Sequence, residues 1–63
     1  MTMYRNNRFN FGKYRGYTAE QVANFDPSYI NWANRNMGIP FSNGVQNVKN
    51  QSYARRMNMP LYY

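Results

Sequence analysis

Apolar and polar positions change rhythm along this chain. Between residues 9 and 17, Phe9, Phe11, Lys13, Arg15 and Tyr17 alternate with Asn10, Gly12, Tyr14 and Gly16. Alternation of period two, with aromatics in both sets and glycines at 12 and 16, predicts a strand with a tight turn or a short hairpin. The rhythm then lengthens. Thr18-Ala19-Glu20-Gln21 has the form of a capping box, the Thr18 hydroxyl facing the third helical amide and Gln21 reaching back. Val22 and Ala23 face inward on the short helix that it starts. Asp26-Pro27 marks a second start, with Asp26 as cap and Pro27 at the first helical position, where its missing N–H costs nothing. Tyr29, Ile30, Ala33 and Met37 follow at helical spacing on one face, with Trp32 beside them, before Gly38 and Pro40 stop the helix.

Ser42 predicts the cap of a third helix over residues 43–57, with Val45, Val48, Ser52 and Met57 on its buried side. That stripe is weak, because Asn43, Gly44, Asn47 and Asn50 are poor helix formers. Lys49, Arg55 and Arg56 make its outer end basic. Residues 1–8 read as a basic flexible arm, 9–56 as a single small domain and 57–63 as an apolar, aromatic tail that packs back on the core or meets a partner. The expected fold class is α+β: an N-terminal β-hairpin or short sheet packed against two to three short helices. Phe11, Val22, Ile30, Trp32 and Ala33 are its expected core.

Length and composition sharpen this picture. Sixty-three residues leave room for one domain, and there is no cysteine or histidine to staple it with a disulfide or a zinc site. Large side chains must supply the core, and 19% of the residues are aromatic. The basic N-terminus has no apolar run behind it, which argues against a signal peptide. No stretch approaches the roughly 20 apolar residues of a membrane span. A cytoplasmic location is the expectation.

Charge points to the partner. Eight Lys and Arg against two Asp and Glu give a formal charge of +6. Such an imbalance attracts polyanions. Catalysis is not expected, because the two acidic side chains, Glu20 and Asp26, have structural explanations at helix starts. Neither a metal cluster nor an activated nucleophile can be assembled from this inventory, and no cofactor or small-molecule substrate is expected. What remains is a set of basic residues interleaved with rings: Arg5, Arg8, Lys13, Tyr14, Arg15, Tyr17, Arg55 and Arg56. Cationic side chains neutralise phosphates, and exposed rings offer faces on which bases stack. The competing reading of the rings is core, since a domain this small must fill its interior.

Phe11-Gly12-Lys13-Tyr14-Arg15-Gly16, then Thr18 to Val22, then Asp26-Pro27-Ser28-Tyr29-Ile30-Asn31-Trp32, resemble the small C-terminal domain of exodeoxyribonuclease X-like proteins. The resemblance covers roughly residues 9–37. It implies a non-catalytic accessory domain, a small sheet with packed helices, that assists a nuclease's contact with DNA. It also implies that Lys13 and Arg15 are the motif's basic positions, with Tyr14 between them. Asp26, Pro27, Tyr29 and Trp32 become the scaffold of the second helix. The asparagine-rich short chain looks like a stand-alone accessory protein of phage type. DNA is the expected partner, with RNA second. The alternative is docking on a host or phage nucleic-acid enzyme by protein–protein contact, for which the tail supplies interface-type Met and Tyr residues. A membrane partner is not expected.

Overall fold

A computed structural model describes residues 1–57, in which three helices follow in order: α1 (Ala19–Phe25), α2 (Pro27–Asn36) and α3 (Asn43–Met57). The expected tail over 57–63 lies outside these residues, apart from the backbone of Met57. The capping box is complete. The Gln21 amide donates to Thr18 Oγ1 at 3.1 Å, and the Thr18 amide donates to Gln21 Oε1 at 2.8 Å. Asp26 closes α1 and opens α2, its amide donating to the Val22 carbonyl at 2.7 Å. Pro27 enforces this break, because its ring disfavours helical geometry in the residue before it and it brings no N–H. Ser42 Oγ accepts from the Val45 amide at the start of α3.

Each helix packs on the other two. Their shared core consists of Phe9, Ala19, Val22, Ala23, Ile30, Ala33, Phe41 and Val45. Ending α1 at Pro27 leaves its last carbonyls without helical partners. Two α3 side chains supply them: the buried Ser52 hydroxyl donates to the Asn24 carbonyl at 2.8 Å, and Arg56 Nη2 donates to the Phe25 carbonyl at 3.0 Å. Residues 1–8 lie against this bundle. Met3 exchanges backbone hydrogen bonds with Pro40 and Ser42, and the Ala19 and Glu20 amides donate to the Asn7 and Arg5 carbonyls.

The expected α+β class is wrong: the described residues contain no strand or sheet. Only two isolated bridges occur, Met3 with Phe41 and Arg8 with Thr18. Residues 9–17 alternate in sequence but coil in space. Gly12 and Gly16 take positive φ values of 71° and 92°, and the Arg15 and Tyr17 amides make turn bonds to the Gly12 and Tyr14 carbonyls. The loop is closed at its base, where Phe9 and Tyr17 pair and the Gly16 amide donates to the Phe9 carbonyl. Left-handed glycines and turn bonds reverse the chain too often for a ladder to form.

The expected core is corrected in two places. Val22, Ile30 and Ala33 are buried, but Phe11 only packs against the core from its edge, and Trp32 is exposed. At 3.6 residues per turn, Trp32 points about 160° away from Ile30 around α2, so the helix cannot bury both. Met37 has the right angle for burial, yet it stands just past the helix end and is exposed.

Candidate nucleic-acid interface

The closed loop over 9–17 sets Lys13 and Tyr14 against the junction of α1 and α2. The Tyr14 hydroxyl donates to Asp26 Oδ2 at 2.6 Å, the Ser28 hydroxyl donates to Oδ1 at 2.9 Å, and Lys13 Nζ stands 4.0 Å from Oδ2. Asp26 holds the capping position of α2, but its carboxylate makes no hydrogen bond to the helix amides and turns to the loop instead. Partial burial alone would raise its pKa. The Tyr14 and Ser28 hydroxyls, the nearby Tyr29 amide and Lys13 outweigh that and hold it below the ordinary carboxylate value. The same hydrogen bond, reinforced by desolvation and the carboxylate's charge, pushes the Tyr14 phenol up.

Gly12 is what allows this approach. A Cβ there would stand 2.5 Å from the Tyr29 hydroxyl, and its φ of 71° is one that side chains resist. With the loop seated, five rings form a continuous band. Tyr17 meets Phe25 at 5.5 Å between centroids, Phe25 meets Tyr14 at 5.2 Å, Tyr14 meets Tyr29 at 4.8 Å, and Tyr29 stacks on Trp32 at 5.3 Å. The first three contacts are edge-on, the favoured arrangement for ring quadrupoles. Tyr17 and Phe25 are each 46% exposed and Trp32 47%, so three of the five rings face solvent to a large degree. Lys13 Nζ lies 5.1 Å from the Tyr14 ring centre and 5.7 Å from that of Tyr29, within cation–π range.

The eight residues singled out from sequence do not all meet. Lys13, Tyr14 and Tyr17 sit in or on the band, and Arg15 is exposed on the same loop. Arg56 reaches the band's edge through the Phe25 carbonyl, and Arg55 Nη2 donates beside it to Asn24 Oδ1 at 3.3 Å. Arg8 braces the base of the loop, Nη1 donating to the Gly16 carbonyl at 2.6 Å. Arg5 belongs elsewhere, lining a cleft with Ser42, Asn43 and Gly44 at the start of α3. Sequence reasoning missed Phe25 and Trp32 as surface rings. The angular position of Trp32 around α2 was the available signal.

Residues 9–37 match the family described as exodeoxyribonuclease X-like C-terminal, which covers just under half of the chain. The matched segment is the loop, α1 and α2, and it contains all five rings of the band together with Lys13, Arg15 and Asp26. By that description the match is to a C-terminal domain of exonuclease-like proteins. Arg5, Arg8, Arg55 and Arg56 fall outside it. No curated protein and no solved structure matches the chain.

Proposed function

We propose, with the match to exonuclease-associated domains as premise, that this chain is a non-catalytic nucleic-acid-binding module, with DNA as its preferred ligand. The observation that carries the reading is the half-exposed ring band of the matched segment, edged by Lys13 and Arg56, with Arg15 exposed on the same loop, on a chain of net charge +6. Rings supply stacking faces, cations neutralise phosphates, and the closed loop holds both in one arrangement before a ligand arrives. Arg56 caps α1 with one N–H and has further donors on its guanidinium fork.

Titration of labelled DNA across a salt series tests this. Affinity should fall with salt at a slope near 0.9 per phosphate contact on duplex, or near 0.7 on single strands. Lys13→Ala with Arg15→Ala should lower that slope by roughly two contacts and weaken all sequences alike. A parent protein that binds neither form at low salt would sink the proposal. Docking on a nucleic-acid enzyme would then be the better account of the same exposed rings.

A further inference from the structure

Resting on that reading, we infer that the surface takes an unpaired strand and that Trp32 is a base-stacking residue. It forms one wall of a cleft with Lys13, Asp26, Ser28 and Tyr29, where a single nucleobase sits. The indole is pre-set for this role. Tyr29 lies against it with 30° between the planes, which limits its rotation, while nearly half of its surface stays open. Lys13 is 65% exposed and tethered at 4.0 Å to Asp26, so its ammonium stands where a phosphate flanking that base would pass. The cleft's polar lining also favours a base over a phosphate. The Asp26 carboxylate repels an anion but accepts from ring or exocyclic N–H groups. A duplex covers its base faces by stacking, so open rings gain little from it. An unpaired strand offers those faces directly.

The chain has a single tryptophan, so its fluorescence reports on this cleft alone. The experiment compares a labelled oligothymidylate with a labelled hairpin duplex of matched phosphate number at low salt, while unlabelled oligothymidylate is followed by Trp32 emission. The unpaired strand should bind more tightly than the hairpin and quench the emission as it saturates. Trp32→Ala should weaken single-strand binding by about 5- to 150-fold, with hairpin binding unchanged, and Trp32→Phe should restore part of the loss. Binding that leaves the emission unchanged, or equal affinity for both probes with a parent-like Trp32→Ala, overturns the inference and leaves the general nucleic-acid reading standing. Absence of binding to either probe overturns both. Quenching is read in the parent protein, so the result does not depend on a variant that must fold.

Discussion

The matched segment over 9–37 and helix α3 share one core but are joined to it by different chemistry. The first is built on rings and apolar side chains, with Phe9, Val22 and Ile30 inside and the aromatic band outside. Helix α3 buries Val45 and Ser52 and covers part of Val48, then adds polar latches. Lys49 Nζ donates to Asn31 Oδ1 and Gln46 Oε1, each at 2.9 Å, and Asn31 donates to the Tyr53 hydroxyl. Arg55 and Arg56 tie its last turn to the end of α1. The half with the dense motif supplies the rings of the candidate surface, and α3 adds Arg56 at its edge. Helix α3 also braces that half by answering the carbonyls that Pro27 leaves open.

Gly12→Ala should produce the largest effect and fall wholly on the first half. The new Cβ meets an unfavourable φ and the Tyr29 hydroxyl together, at a cost of about 2–4 kcal/mol. That is a large share of what a domain this small can hold. Thermal and denaturant melts of Gly12→Ala in the parent and in a Tyr29→Phe background separate the two causes. The Phe background should relieve the contact and leave the backbone strain. A melt indistinguishable from the parent would mean that the loop does not sit on α2 in this way.

The same contrast explains what could be read from sequence. Both α1 and α2 announce themselves through local signals, the Thr18 box and the Asp26-Pro27 break, whose partners lie within a few residues. The bounds of α3 were also legible from Ser42 onward, although its weak apolar stripe concealed how it is held. Its partners Asn24, Phe25 and Asn31 are over fifteen residues away in sequence. The loop misled for the opposite reason. Its alternation is real, but positive φ at two glycines converts it to turns, and only docking on Tyr29 and Asp26 decides that. Trp32 stands beside the apolar face in the sequence reading, yet its angle on the helix already places it outside the core.

Ser52→Ala probes the second half and should cost about 1 kcal/mol, because the Asn24 carbonyl loses its donor while little volume changes. The Ser52 hydroxyl bonds a backbone carbonyl and not a ring of the band, so nucleic-acid affinity measured below the melting range should stay at the parent level. A loss of affinity at full folding would show that the Ser52 bond to Asn24 sets the geometry of the surface as well as bracing the fold.

The smallest effect lies in the loop anchor and is best read by titration. Folding lowers the Asp26 pKa, so its contribution to stability is complete above the ordinary carboxylate value of about 4 and is lost as pH falls through the lower folded value. The Tyr14 phenol is shifted the other way: its contribution is complete below about pH 10 and is lost as pH rises through the higher folded value. Between those limits the melting temperature should be nearly flat as far as this pair is concerned. With Asp26 and Glu20 the only acidic side chains, carboxyl-carbon NMR can follow Asp26 directly. Tyr14→Phe removes the hydroxyl donor and leaves the ring, so the Asp26 titration should move up toward the ordinary value, and the acid limb of the stability curve should shrink with it. If the titration does not move, the Tyr14 hydroxyl does not hold the carboxylate. Contacts among the rings and the approach of Lys13 to Asp26 and Tyr29 would then be what seats the loop on α2.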